Sequence, residues 1–221
     1  MLTPSNSIKS LQQIRQELPA SCEVLAVSKL QSVEKIKFLF LQGQRLFAEN
    51  YVQEGLKKQS ELKDLDIEWH FIGRLQKNKA KQVVGAFAYI HSVDSLELAQ
   101  ALNQVAEKKN LVQKILIQIN LAEEKTKGGI SRQQLAEFLA QTAKLKNIKI
   151  VGLMTMPPLF EDPNLARPFF KELKRLLCEQ QINYSELKKL SMGTSADYLI
   201  AAKEGATLVR LGTILFGERI K

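Results

Sequence analysis

Glu23-Val24-Leu25-Ala26-Val27-Ser28-Lys29 is the stretch whose reading decides the fold of this chain. An apolar run of the kind buried on both faces of a parallel sheet leads straight into a lysine. Ser32 then stands as an N-cap, and Val33, Ile36, Leu39 and Phe40 follow at helical spacing. A lysine at the end of a buried strand is costly to keep charged. Desolvation lowers its pKa, and the free amine can attack a carbonyl to form a Schiff base. The plainer alternative is that Lys29 is the first exposed residue after a strand. The rest of the chain decides between them.

On both sides of this stretch, helical and strand patterns alternate. Residues 5–18 read as a helix, with Ile8, Leu11, Ile14 and Leu18 on one side and Pro19 closing it. Gly43 stops the helix over 32–42, and a short strand over 45–48 ends at Glu49-Asn50, where Asn50 is expected to cap a helix over 51–63. A strand over 67–73 precedes a basic helix over 75–84. A strand over 87–93 precedes Asp94, the expected cap of a helix over 95–109. The clearest strand, Lys114-Ile115-Leu116-Ile117-Gln118-Ile119-Asn120-Leu121, feeds a polar loop over 122–129 that is expected to be mobile. Ser131 opens the next helix, and a strand over 148–156 is broken by Pro157-Pro158 before a helix over 164–181. A strand over 187–192, a short helix over 196–204 and a strand over 208–211 complete the pattern.

Eight strands in strict alternation with helices, and no linker or shift in composition, imply one α/β domain over residues 1–221. The expected architecture is a closed parallel (β/α)8 barrel of the TIM type. In such a barrel the carboxyl ends of the strands converge on one face, which gathers Lys29, Asn50, Ser191 and the residues after Leu211.

Composition narrows the function. At 221 residues and 45% hydrophobic content the chain can bury one large core. Its polar start, Met1-Leu2-Thr3-Pro4-Ser5-Asn6, shows no secretory signal, and runs such as Phe38-Leu39-Phe40-Leu41 are too short to span a bilayer. Cys22 and Cys178 lie far apart with no metal-like spacing, as expected of a reduced, cytoplasmic protein that holds no metal. A net charge of +9 raises the question of nucleic acid. The lysines, however, scatter along amphipathic helices, and the one dense stretch, residues 74–81, carries no aromatic residue for base stacking. Neither nucleic acid nor membrane is the expected partner. With no large apolar patch evident, a monomer is expected.

Two segments near the C-terminus suit an anion. Ser191-Met192-Gly193-Thr194-Ser195 is small and hydroxyl-bearing and leads into a helix; Arg210-Leu211-Gly212-Thr213 places a glycine where backbone can approach a ligand. Alternatively Ser195 caps a helix and Gly212 makes a turn. Their pairing at the ends of strands seven and eight, where barrels commonly bind phosphate, favours the anion. Lys29, on strand one beside strand eight, lies a short gap away. A ligand with both an aldehyde and a phosphate would span it, and pyridoxal 5′-phosphate has both.

Further motifs point the same way: Leu25-Ala26-Val27-Ser28-Lys29, Glu49-Asn50-Tyr51-Val52-Gln53-Glu54, Trp69-His70-Phe71-Ile72-Gly73, His91-Ser92-Val93-Asp94-Ser95, Gly152-Leu153-Met154-Thr155-Met156-Pro157-Pro158 and Leu190-Ser191-Met192-Gly193. From about residue 23 to Arg219 the chain resembles the pyridoxal-phosphate homeostasis proteins. Ala48 replaces a usual glycine and Thr194 a common methionine. The resemblance implies a fold like the N-terminal barrel domain of alanine racemase, of PLP fold type III. It implies that Lys29 holds pyridoxal 5′-phosphate as an aldimine, that Arg210 faces the pyridine nitrogen, and that Asn50 sits beside the ring. Ser195, Gly212 and Thr213 would hold the phosphate, with Thr194 in the same cofactor-binding set, and Lys127 would lie in the loop over 122–129.

The resemblance further implies a role in vitamin B6 and amino-acid balance without established catalysis, with PLP-dependent apoenzymes or regulatory proteins as partners. The chemistry agrees, because an arginine at the pyridine nitrogen disfavours its protonation and leaves a poor electron sink. Racemases so built add a tyrosine from a second domain. This chain ends soon after the eighth strand, so no such domain is expected, and Tyr51, Tyr89, Tyr184 and Tyr198 all lie on barrel elements. The alternatives are a small racemase-like PLP enzyme and a class I aldolase-like barrel acting on a sugar phosphate. Among the remaining residues, His70 and His91 are expected to be buried and hydrogen-bonded, Met154 and Met156 to be core or rim, and Trp69 to pack under a helix.

Overall fold

The computed structural model describes residues 9–124 and 128–217. Helix α1 (Leu11–Glu17) starts at Ser10, whose hydroxyl accepts from the Gln13 N–H while the Gln13 side chain returns to the Ser10 N–H. This reciprocal cap opens the helix, and residues 5–8 of the one expected over 5–18, Ile8 among them, lie outside the described residues. Strand β1 (Glu23–Val27) follows, then α2 (Val33–Leu41), β2 (Leu46–Glu49), α3 (Val52–Glu61) and β3 (Glu68–Phe71). Next come α4 (Ala80–Val83), β4 (Tyr89–Val93), α5 (Leu96–Lys108), β5 (Gln113–Ile119), α6 (Leu135–Thr142) and β6 (Ile148–Thr155). The chain continues through α7 (Arg167–Gln181), β7 (Lys189–Ser191), α8 (Tyr198–Lys203), β8 (Leu208–Leu211) and α9 (Thr213–Phe216).

The eight strands form one closed barrel in sequence order. It is sealed by parallel pairing of β1 with β8, where Glu23 lies opposite Leu208 and Ala26 opposite Leu211. Closure leaves no edge strand, and every carboxyl end opens on the same rim.

Strand alternation sorts the side chains into two cores. Outward-facing Phe47, Trp69, Phe71 and Ile90 join the helices in the main apolar layer, with Trp69 packed at 5.9 Å on Phe47 of the neighbouring strand. Inside, Tyr89, Leu116, Val151 and Met154 form a smaller cluster. Below it Tyr89 stacks on His70 at 4.6 Å, and the Lys114 and Lys189 ammonium groups lie 5.0 and 5.5 Å from its ring centre. Two glycines let strands approach. A Cβ on Gly73 would sit 1.9 Å from the Asn50 carbonyl oxygen, and one on Gly152 would sit 1.9 Å from that of Lys189.

Several sequence expectations need correction. Asn50 does not cap α3: the N-cap is Tyr51, whose carbonyl accepts the Gly55 N–H at 3.0 Å, so the ladder begins one residue later. Asp94 does not cap α5 either, because Ser95 Oγ accepts the Leu98 N–H. Both freed side chains line the rim. The basic segment is not one helix over 75–84 but a 3-10 turn, Lys77–Lys79, leading into α4. α8 begins at Tyr198, since Asp197 first folds back on Thr194. The short α9 breaks no expected pattern but had no apolar periodicity long enough to reveal it. Among the described residues no helix is long and apolar enough to cross a membrane, and no group of three His, Cys, Asp or Glu gathers as metal ligands would.

Candidate functional site

The rim encloses a cavity of about 550 Å³, to which all eight strand ends contribute. Its lining includes every residue singled out for the cofactor: Lys29, Asn50, Thr194, Ser195, Arg210, Gly212 and Thr213. Lys127 lies outside the described residues, as do residues 125 and 126 of its loop. The flanks of that loop are fastened, since Gln118 Nε2 donates to the Gly128 carbonyl at 2.6 Å and Asn120 Nδ2 to the Glu124 carbonyl at 2.9 Å.

Lys29 stands two residues past the end of β1 and is half-buried. Asn50 follows β2, and its buried Oδ1 has no hydrogen-bond partner. A buried acceptor without a donor is costly in a finished structure and suits one that awaits a ligand.

The far side is made by the loops after β7 and β8. Gly193, at φ +88°, turns the chain in a left-handed shape, and a Cβ there would meet the Ala201 Cβ at 2.5 Å. Ser195 Oγ accepts from the Gly212 and Ile214 N–H groups at 3.3 and 3.4 Å, so one hydroxyl and the amides opening α9 converge on one spot. Both bonds are long, and a phosphate oxygen would compete with Ser195 Oγ for the two amides while accepting the Ser195 hydroxyl proton. Thr194 behaves differently. Its N–H and hydroxyl both donate to Asp197 Oδ1, at 2.6 and 3.0 Å, so it braces the loop and has no proton left over for a phosphate.

Arg210 is buried beneath the cavity. Nη1 donates to Ser191 Oγ and Nη2 to the Thr155 carbonyl, each at 2.9 Å. Burial lowers its pKa to about 10, with Asp197 acting in the opposite direction, and the guanidinium stays charged at neutral pH. Ser191 begins a polar chain through the barrel: His91 Nδ1 lies 3.0 Å from Ser191 Oγ, His91 Nε2 lies 2.8 Å from His70 Nδ1, and His70 Nε2 lies 2.9 Å from Glu68 Oε1. A guanidinium at one end and a carboxylate at the other leave one arrangement for two neutral rings. Ser191 O–H donates to His91, His91 Nε2–H to His70, and His70 Nε2–H to Glu68. Burial pushes both imidazoles below the usual histidine range, His91 far below, and the His70 hydrogen bond holds Glu68 below the usual carboxylate range. The two histidines are therefore buried and hydrogen-bonded, as their pattern implies. Their link to Arg210 was not visible in sequence, because Ser191 lies 100 residues from His91.

A second cluster escaped the sequence reading altogether. Glu49, Glu54 and Lys58 gather behind the Lys29 turn, with Lys58 Nζ 2.9 Å from Glu49 Oε1 and 2.6 Å from Glu54 Oε1. In sequence Glu54 and Lys58 resemble any surface pair on a helix. On the opposite wall Asp94, raised by burial against the opposing charge of Arg74, faces the cavity with Gln118, Met154 and Met156. Met154 and Met156 are thus core and rim respectively, and both also touch the cavity.

Known proteins bear on this geometry in three ways. Residues 6–220 match the family described as alanine racemase, N-terminal domain. The chain is 44% identical to the pyridoxal phosphate homeostasis protein of Aquifex aeolicus, over 97% of this chain and 99% of that one. It is 47% identical to the protein of that name from Synechocystis, over 92% and 94%. Among solved structures, PipY of Synechococcus elongatus with PLP bound superposes with a TM-score of 0.88 at 38% identity, covering 94% of this chain and 98% of that one. An alanine racemase of Clostridium difficile shares the fold, with a TM-score of 0.77 at 17% identity, this chain spanning 55% of its length. By sequence and by fold, the chain belongs to the pyridoxal phosphate homeostasis proteins, within the family of the alanine racemase N-terminal domain.

Proposed function

We propose that this protein binds pyridoxal 5′-phosphate through Lys29 and serves in vitamin B6 and amino-acid balance as a holder of the cofactor, not as an enzyme. The observation that carries the reading is that an amine from β1 and a hydroxyl-and-amide cradle from β7 and β8 face one cavity, with the orphaned Asn50 Oδ1 beside the amine at the end of β2. PipY, one of the relatives, is described with PLP bound. The residues present fit the cofactor. Lys29 would supply the amine that holds it, Ser195 with the Gly212 and Thr213 backbone would bind the phosphate, and Asn50 would lie beside the ring. Thr194 holds the loop from which Ser195 projects. When bound, the cofactor supplies an electrophilic carbon and an electron-accepting ring.

The wall chemistry supports holding over turnover. A charged Arg210 disfavours a proton on any ring nitrogen that faces it, which weakens the electron sink. Among the described residues the cavity lining holds no tyrosine, histidine or cysteine, and its one carboxyl is Asp94, just past β4 and across the barrel from Lys29 at the end of β1. On this reading residues 1–221 act as one domain, a cytoplasmic monomer whose protein partners are PLP-dependent apoenzymes or regulatory proteins.

The test is spectroscopic. With added cofactor the parent protein should gain a visible band and, after borohydride, carry the added mass on the peptide containing Lys29. Lys29→Ala should do neither. Exchange of the α-hydrogen of added amino acids at the free-cofactor rate supports a holder, and exchange well above it supports the racemase-like alternative. A colourless parent, or borohydride adducts on another lysine, overturns the reading.

A further inference from the structure

The turn that bears Lys29 has an unfavourable backbone, and its own side chains do not account for it. Ser28, Lys29, Leu30 and Gln31 form a four-residue turn closed by the Gln31 N–H donating to the Ser28 carbonyl at 3.0 Å. Leu30, its third residue, has φ +59°, a left-handed conformation that L-residues with a γ-branched side chain rarely adopt. Its side chain is 62% exposed, so packing does not impose that shape.

The grip comes from behind. Glu54 Oε1 accepts the Leu30 N–H at 2.6 Å. Lys58 Nζ donates to the Ser28 carbonyl at 2.6 Å, to Glu54 Oε1 at 2.6 Å and to Glu49 Oε1 at 2.9 Å, which uses all three of its protons. Ser28 Oγ donates to Glu49 Oε1 at 2.6 Å. The residues on either side of Lys29 are thus each held by α3, while Lys29 itself lines the cavity. Burying a lysine among carboxylates is a poor way to gain stability, because desolvation consumes most of the Coulombic return. It is an effective way to fix a backbone, since each bond has a direction.

We infer that Glu54 and Lys58 are positioning residues for Lys29: they hold Leu30 in its left-handed turn, and that turn sets where the Lys29 amine stands in the cavity. The inference rests on Lys29 being the amine that takes the cofactor. It explains why a leucine, and not a glycine, can occupy the third position.

The test uses the intact chain and exploits glycine's freedom at positive φ. Glu54→Ala is made alone and combined with Leu30→Gly; Glu54 is at the protein surface's edge and Leu30 is exposed, so both variants keep the core. Two rates are read at Lys29 by peptide mass: capture of pyridoxal 5′-phosphate trapped with borohydride, and reductive methylation by formaldehyde in cofactor-free protein, each normalised to an exposed lysine. Glu54→Ala is expected to change both Lys29 rates about tenfold, as a misplaced reacting group does. Leu30→Gly alone should match the parent, and the double variant should return to within about threefold of it, because glycine keeps the turn without the grip. A Lys29 methylation rate unchanged by Glu54→Ala, or a double variant no closer to the parent than Glu54→Ala, overturns the inference. If the parent captures no cofactor at Lys29, the proposed function falls, while the methylation series still decides the role of the grip.

Discussion

Acid should unfold this protein through its two histidines before its carboxylates matter. Both imidazoles are buried and both have folded-state pKa values below the usual 6.5, His91 far below, where desolvation is reinforced by the repulsion a protonated His70 would add and by the charges of Arg210 and Lys189. The sign follows from linkage. Below pH 6.5 the unfolded chain binds protons that the folded chain refuses, so their contribution is complete above 6.5 and is lost as pH falls toward the folded values. A histidine that stays neutral when folded costs about 2 kcal/mol of stability between pH 7 and pH 5, and two cost about 4 kcal/mol. His70 should contribute the smaller share, since Glu68 opposes the shift. Glu49, raised by burial, acts with the opposite sign, so the clean measure is a difference between variants. His91→Gln keeps a hydrogen-bonding group but does not titrate. In urea unfolding, the stability gap between parent and His91→Gln should shrink by about 2 kcal/mol from pH 7 to pH 5. The chain has only 2 histidines, so imidazole NMR signals are assigned with one variant. Neither should titrate near 6.5, and both should show the Nε2–H tautomer. A gap independent of pH, or two ordinary titrations, would refute the reasoning.

Other expectations are quickly checked. Gly152→Ala forces a methyl against the Lys189 carbonyl and should cost on the order of 3 kcal/mol in urea unfolding, because the clash is with backbone that cannot rotate away. Ser195→Ala removes the hydroxyl at the β7–β8 cradle. Equilibrium titration should show about tenfold weaker binding of pyridoxal 5′-phosphate and little change for pyridoxal, which lacks the phosphate. Toward a thiol reagent at pH 8 the native protein should offer Cys178, which is exposed, while Cys22, buried and pushed up to about 11, should react only after denaturation.

The barrel was legible because its signals are local. Runs such as Ile115-Leu116-Ile117 read as doubly buried strand without tertiary information, and the alternation with helices leaves few topologies. The cavity residues were legible because strand ends must converge. Missed features share one cause: they depend on which side chains meet across the barrel. Asn50 and Asp94 have the chemistry of helix caps and sit where caps would be, yet Tyr51 and Ser95 take those positions and release them to the rim. Thr194 has a hydroxyl in the loop expected to hold a phosphate, but Asp197 claims it. Glu49 is an acid at the end of a strand, and nothing in its neighbours foretells that Ser28 and Lys58 will enclose it.

The seam between β1 and β8 has a consequence for biosynthesis. Lys29 is made with the first strand and the β7–β8 cradle only with the last two strands of the ring, so on the proposed function the amine exists well before the group that would receive the other end of the cofactor. On that same reading a chain cut before Leu208 would leave the amine without the Gly212 and Ile214 amides of the cradle. The Lys9 N–H, donating to the Ile214 carbonyl at 3.1 Å, fastens the beginning of the described chain to that final segment. The same pairing that closes the ring thus brings the amine and the cradle to one cavity, and neither face of that cavity is complete until β8 lies against β1.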